Sequence, residues 1–321
     1  MPIKKVVLAK PRGFCAGVDR AIDVVEMALQ LYGSPVYVRK EIVHNKYVIR
    51  SLAAKGAVFI DELDVVPDGA VAIFSAHGVS PAVRAEAATK NLKVIDATCP
   101  LVTKVHSEAV RYAGEDRSII LVGHAGHDEV IGTMGEVPGK IQLVGTIEEA
   151  EKVEVPDPDR VAVTTQTTLG VEDANVIIEV LRRRFPKLIT PTSDDICYAT
   201  QNRQTAVKLL AEDVDLVLVL GSDNSSNSRR LREVAEGAGA KAFLIDDATE
   251  IKPEWLEGVE CVAITAGASA PEYLVQQVLD YFRALGAENV EEVMAIDEKV
   301  TFLLPPELSR EMTARGLTQI T

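Results

Sequence analysis

No apolar run in this chain is long enough to cross a bilayer; the uninterrupted stretch at 216–220, one of the longest, covers five residues. The N-terminus MPIKKVVLAKPRGF has no long apolar segment and no small-residue cleavage site, so no signal peptide is expected and the chain reads as cytoplasmic. Positive charge is also scarce. Lys and Arg number 34 against 48 Asp and Glu, a net −14, which argues against a general nucleic-acid binder because phosphate neutralisation needs clustered cations. It does not exclude a small anionic substrate, which is bound by local donors. Only four cysteines are present, and a reducing compartment disfavours disulfides. The C-x2–4-C pairs of structural zinc are missing, and so are the ferredoxin spacings.

What is present is a rhythm of short β-branched runs, small polar or Gly loops and helical stretches. Strand candidates include 6–9, 71–74, 118–123, 161–164, 215–221 and 261–267. They are near-continuous apolar runs without period-2 alternation, as parallel strands buried on both faces require. Between them lie helical stripes such as Val18, Ile22, Val25 and Leu29, or Val102, Val105, Ala109 and Val110. This is α/β architecture, and 321 residues suffice for two or three domains.

Cys15, Cys99 and Cys197 stand 84 and 98 residues apart, each just before a helical pattern: CAGVDRAIDVVEMAL, CPLVTKVHSEAVRYA and CYATQNRQTAVKLLA. Pro100 suits a first helical position. The layout predicts three strand–loop–helix lobes around one centre, with boundaries near 97 and 195. Helix starts offer N–H groups and a positive dipole end, which lower a thiol's pKa. Cys261, inside CVAITA, fits a small buried hydrophobe instead. On spacing alone, burial, zinc and an iron–sulfur cluster all remain open for the other three.

Several loops follow strands and precede helices, where anions are favoured. LGSDNSSNSRRLREVA carries Ser225, Ser226 and Asn227, more donors than one helix cap requires. TAGASAPE offers Ser269, and TTQTTLG offers Thr167 and Thr168. Of five histidines, His44, His77, His124 and His127 lie in loop-like contexts, whereas His106 falls inside a helical pattern that packing alone explains. Glu129, two residues past His127, is the natural proton source. HAGHDE lacks the helical spacing of a zinc protease motif.

Nine segments in order, PRGFCAGVDRAI, VRKEIVHNKYV, FSAHGVSP, DATCPLVTKVH, GHAGHDEVIGTMGE, TTQTTL, DDICYATQNRQ, GSDNSSNSRRL and TAGASAPE, resemble the 4-hydroxy-3-methylbut-2-enyl diphosphate reductases. These catalyse the last step of the methylerythritol phosphate route to isoprenoids, and the resemblance runs from about residue 6 to about 306. It implies three αβα lobes with mainly parallel sheets in a pseudo-threefold arrangement around one central 4Fe–4S cluster. The expected division is 14–97, 98–194, and 1–13 with 195–285, with a tail at 286–321 packing over the lobes. Cys15, Cys99 and Cys197 match the cluster ligands, leaving one iron without a protein ligand. His44, His77, His127, Ser225, Asn227 and Ser269 match diphosphate-binding positions, with Ser226 beside them. Thr168 and Glu129 match the residues that hold the substrate hydroxyl and deliver protons, with Thr167 as a further substrate-binding candidate. Some relatives carry a further RNA-binding-type domain after this region, and none is expected here.

The implied reaction is reductive loss of an allylic hydroxyl, giving isopentenyl and dimethylallyl diphosphate. Electrons are expected from a ferredoxin or flavodoxin, with Lys4, Lys5, Lys10 and Arg12 as a candidate docking patch. Neither nucleic acid nor membrane is an expected partner. Two other readings fit the residues taken alone: a zinc-dependent phosphate-ester hydrolase and a non-enzymatic cluster-based sensor.

Overall fold

The computed structural model describes residues 3–317; residues 1–2 and 318–321, parts of the first and last expected segments, lie outside the described residues. In chain order the elements begin β1 (Lys5–Lys10), α1 (Ala16–Tyr32), β2 (Val36–Arg39), α2 (Lys46–Ala54), β3 (Ala57–Ile60), β4 (Val71–Phe74), α3 (Pro81–Thr89) and β5 (Lys93–Asp96). They continue with α4 (Pro100–Gly114), β6 (Ser118–Val122), α5 (Asp128–Glu136), β7 (Ile141–Val144), α6 (Ile147–Lys152), β8 (Val161–Thr165) and α7 (Val171–Arg184). The last are α8 (Tyr198–Ala211), β9 (Leu216–Leu220), α9 (Ser226–Gly237), β10 (Lys241–Ile245), β11 (Cys261–Ala266), α10 (Glu272–Ala284), β12 (Asn289–Met294) and α11 (Pro306–Ala314).

The strands form three sheets, ordered β10-β9-β11-β1-β12, β3-β2-β4-β5 and β7-β6-β8. Every strand pairing in them is parallel. The α/β expectation therefore holds, and the reason is visible in the side chains. Leu216, Leu218, Leu220 and Ile264 face α10 through Leu274, Val278 and Phe282. The intervening Val217, Val219 and Ala263 face α8 and α9 through Val207, Leu210 and Leu231. Alternate side chains thus enter two cores, so no polar alternation appears in the sequence.

The chain divides into two compact units. The first comprises the residues up to Ala16, His44–Val48 and Tyr198–Val300, and holds the five-stranded sheet. The second comprises Gly17–Val43, Ile49–Cys197 and the residues from Thr301, and holds the other two sheets. β12 adds itself to β1 at the edge of the first unit's sheet. α11 belongs to the second unit, where Glu311 meets the Tyr32 hydroxyl and the Lys93 ammonium.

Both helical stripes hold in part. In α1 the buried residues include Val18, Ala21, Val24, Val25, Met27, Ala28 and Leu31, while Ile22 and Leu29 are only half-buried. In α4 Val102, Val105 and Ala109 are buried as expected; Val110 is 48% exposed, and His106 and Tyr112 complete the buried face. Small and amphipathic side chains sit at the helix centre line, which an apolar-only pattern overlooks.

Strand order places the ligand-binding ends. From β9 the chain moves outward to β10 and then crosses back to β11 on the other side of β9; β2, β3, β4 and β6, β7, β8 repeat the move. Each sheet thus has a switch point, between β9 and β11, β2 and β4, or β6 and β8, where the loops leaving the carboxyl ends diverge and open a crevice.

Candidate active site

The expected site residues occupy the loops at these switch points, at repeated offsets. His44, His127 and Ser225 each stand five residues past the end of β2, β6 and β9, respectively. His77, Thr168 and Ser269 each stand three residues past β4, β8 and β11. Between the strand end and that residue lies a carbonyl that fixes a cysteine. The Cys99 N–H donates to Ala76 O at 3.0 Å, the Cys197 N–H to Thr167 O at 3.0 Å, and the Cys15 N–H to Ala268 O at 3.3 Å. Each of the three cysteines is therefore held to the loop carrying one expected substrate contact.

Within the second unit, His77, His127, Glu129, Thr167 and Thr168 share one region with Cys99 and Cys197. The His77 and His127 rings meet edge to face at 5.8 Å. His127 caps α5 by accepting the Glu129 N–H on Nδ1 at 3.2 Å, which assigns that nitrogen as the unprotonated one. The Glu129 carboxylate is buried and accepts twice from Thr167, from its N–H at 2.7 Å and from its hydroxyl at 2.9 Å. Both donors of Thr167 are thus committed to Glu129. Gln166 accepts from the His124 N–H at 3.0 Å and donates to Thr168 Oγ1 at 2.9 Å, leaving the Thr168 hydroxyl hydrogen to point elsewhere.

His106 is buried on α4. Its Nδ1 lies 2.9 Å from Glu136 Oε1, and its ring packs on the backbone of Gly78, next to His77. Burial lowers its pKa despite Glu136. Gly78 sits at φ +82°, and an added Cβ would come within 3.0 Å of His106 Cε1, so the His77 loop requires glycine there.

The first unit holds His44, Ser225, Ser226, Asn227, Ser269 and Cys15. Ser225 caps α9: its Oγ accepts the Ser228 N–H at 3.3 Å and lies 3.0 Å from Ser228 Oγ. With those bonds accepted, its own hydroxyl hydrogen is directed outward beside the first-turn N–H groups of α9. Asn227 accepts the Ala268 N–H at 2.9 Å, which orients its amide, and Nδ2 lies 3.4 Å from Thr200 Oγ1. The Ser269 hydroxyl donates to His44 O at 2.9 Å, tying these two expected contacts together. Gly221 and Gly267 line the same crevice, where added Cβ atoms would fall 2.1 and 2.0 Å from Ser228 Oγ.

Cys15, Cys99 and Cys197 are half-buried, stand at the starts of α1, α4 and α8, and form no disulfide. Pro100 opens α4 directly after Cys99. Thiol-only donors at helix starts suit a soft metal or an iron–sulfur cluster, because thiolates bind such centres and the helix N–H groups stabilise the anion. Tyr198 follows Cys197; its oxygen accepts the Ala16 N–H at 3.3 Å, and burial together with Cys15 raises its pKa. Cys261 lies at the amino end of β11, away from the switch point. Burial raises its pKa, so it is not an activated thiol.

Sequence reading overlooked three cations. Arg20 donates to Ala97 O and Thr98 O, both at 3.1 Å. Lys104 donates to Ser193 O at 2.7 Å, Asp194 O at 3.0 Å and Asp195 Oδ1 at 2.9 Å. Arg203 donates to Gly13 O at 2.7 Å and Phe14 O at 3.2 Å. The only available signal was their presence inside the motif segments.

The candidate docking patch does not survive as a surplus of charge. Lys4 pairs with Glu260, Lys5 with Glu291, Lys10 with Glu292, and Arg12 with both Glu272 and Glu292. Five ion pairs to four glutamates neutralise it.

Comparison with known proteins gives the family. The family model described as LytB protein matches residues 6–283. The chain is 59% identical to the 4-hydroxy-3-methylbut-2-enyl diphosphate reductase of Acidothermus cellulolyticus, over 98% of this chain and 93% of that one. It is 58% identical to the enzyme of that name from Bordetella pertussis, over 96% of this chain and 95% of that one. Among solved structures, the E-1-hydroxy-2-methyl-but-2-enyl-4-diphosphate reductase from Plasmodium falciparum superposes with a TM-score of 0.93 at 38% identity, covering 98% of this chain and 100% of that one. The chain therefore belongs to the LytB family of 4-hydroxy-3-methylbut-2-enyl diphosphate reductases.

Proposed function

We propose that this chain converts 4-hydroxy-3-methylbut-2-enyl diphosphate to isopentenyl and dimethylallyl diphosphate by reductive loss of the hydroxyl. The observation that carries the proposal is the repeated coupling of a helix-start cysteine to a loop bearing a polar contact, at the carboxyl end of all three sheets. Cys15, Cys99 and Cys197 would hold a 4Fe–4S cluster. When bound, that cluster would relay two electrons, one at a time, from an external reductant and would offer an iron without a protein ligand.

The chain's own residues do the rest. Ser225 donates its outward hydroxyl hydrogen to the diphosphate, with the α9 N–H groups beside it and Asn227 contributing an amide hydrogen. His44, His77 and His127 donate to further phosphate oxygens; His127 does so through Nε2, because Nδ1 is occupied as an acceptor. Ser226 lines the same loop. Ser269 holds the His44 backbone and turns its hydroxyl to the diphosphate on binding. Thr168 donates to the substrate hydroxyl, since its oxygen already accepts from Gln166. Thr167 serves the substrate through Glu129, which delivers the proton to the departing oxygen. Water leaves, and a second proton is taken at either end of the allyl system, giving the two products.

The reductant is a ferredoxin or a flavodoxin. No described helix is long and apolar enough to cross a membrane, and the proposed location is the cytoplasm. Anaerobic purification with iron and sulfide counting, followed by turnover of the hydroxylated diphosphate, tests the whole reading. An iron-free, colourless but active protein overturns it, and zinc without acid-labile sulfide would favour a hydrolase.

A further inference from the structure

The cations at Arg20, Lys104 and Arg203 follow one rule. Arg20 lies five residues after Cys15 and donates to the carbonyls of Ala97 and Thr98, the two residues before Cys99. Lys104 lies five residues after Cys99 and donates to Ser193 O, Asp194 O and the Asp195 carboxylate, in the segment before Cys197. Arg203 lies six residues after Cys197 and donates to Gly13 O and Phe14 O, the two residues before Cys15. The helix begun by one cysteine thus clamps the loop that ends on the next, and the third clamp returns to the first cysteine.

Loop carbonyls next to a cysteine have no ladder partner, and burying them unpaired would be costly. A charged donor satisfies two or three at once through bonds stronger than neutral ones. Burial underlines the point: Arg203 is fully buried and Arg20 is 9% exposed, a placement that cations tolerate only when their donors are satisfied. Arg203 has the Glu298 carboxylate at 3.1 Å, and Lys104 has Asp195. The bonds of Arg20 go to carbonyls alone, including Leu303 O at 2.8 Å.

We propose that Arg20, Lys104 and Arg203 are positioning residues that preset the three cysteine ligands, each fixing the backbone from which the next thiolate projects. The inference rests on the cluster assignment above. Pre-set ligands lower the ordering cost of cluster binding and slow ligand detachment. Arg20 also leaves a buried positive charge near Cys99, favouring the reduced, more negative cluster.

The test uses the full chain, reconstituted anaerobically with iron and sulfide. Arg20→Met removes only bonds to carbonyls, and Lys104→Met removes the second clamp. Both variants should lose cluster absorbance to a chelator about 10-fold faster than the parent. Arg20→Met should also shift the cluster's reduction potential downward and alter its electron paramagnetic resonance spectrum. Arg20→Lys and Lys104→Arg should restore retention. Lys93→Met, which removes a cation paired with Glu311 away from the cysteine loops, serves as the stability control and should retain its cluster. A parent that binds no iron and sulfide sinks the cluster assignment itself. A parent that holds its cluster while both Met variants lose theirs no faster, or no faster than Lys93→Met, overturns the clamps.

Discussion

Thr167 grips both oxygens of Glu129, its N–H reaching Oε1 at 2.7 Å and its hydroxyl reaching Oε2 at 2.9 Å. Glu129 is 2% exposed, so Thr167 rather than solvent helps set its orientation. Glu129→Gln preserves volume and one of the two bonds but removes the transferable proton. Turnover should fall about 100-fold or more, with iron content and KM close to the parent. Retention of more than half the parental kcat would remove Glu129 from the proton path.

The crevice between β9 and β11 depends on two glycines packed against Ser228. An added Cβ on Gly267 would sit 2.0 Å from Ser228 Oγ and 3.1 Å from its Cβ. Gly267→Ala should therefore push Ser228 away from Ser225, costing about 1–3 kcal/mol of stability and raising KM. Adding Ser228→Ala deletes the closer clash, so the double variant should be more stable than Gly267→Ala alone. Equal denaturant midpoints for the parent and Gly267→Ala would contradict the packing argument.

How much of this was legible beforehand follows from the kind of signal each feature leaves. β9 and β11 announce themselves because both faces are buried and, apart from Thr265, no residue is polar. β2, β5 and β12, with sequences VYVR, KVID and NVEEVM, do not: they are four to six residues long and carry charges. Ser225 was legible as part of a donor-rich helix start. The fixed offset it shares with His44 and His127 was not, because the three residues have different side chains and only strand ends reveal the register. Arg20, Lys104 and Arg203 were illegible for another reason. Their clamps on the cysteine loops run mainly to backbone carbonyls 77 to 190 residues away in sequence, and a carbonyl has no residue identity to detect.

Arg12 illustrates a patch whose role changes once its partners are known. It donates to Glu272 at the start of α10 and to Glu292 in β12, tying the segment after β1 to both elements in the first unit. Arg12→Glu should lower stability and slow turnover alike with a protein donor and with a small artificial reductant. Selective loss with the protein donor alone would reinstate this segment as a docking surface, despite its neutralised charge.

Glu108 makes stability depend on pH. It lies on α4 against Asp195, and burial, reinforced by that second carboxylate, pushes its carboxyl from 4.5 up to about 7. The folded chain then keeps a proton there that the unfolded chain has released. Its stabilising contribution is complete below about pH 4.5 and declines as pH rises towards about 7, where the folded carboxyl ionises as well. Glu108→Gln carries no such proton. The parent should therefore lose stability relative to this variant across that window, by on the order of 1–2 kcal/mol after allowance for solvent screening. Urea midpoints measured in parallel give the difference directly. A parent-minus-variant difference that stays flat from about pH 4.5 to about 7 would show that Glu108 ionises normally, and that Asp195 is not the neighbour that holds its proton.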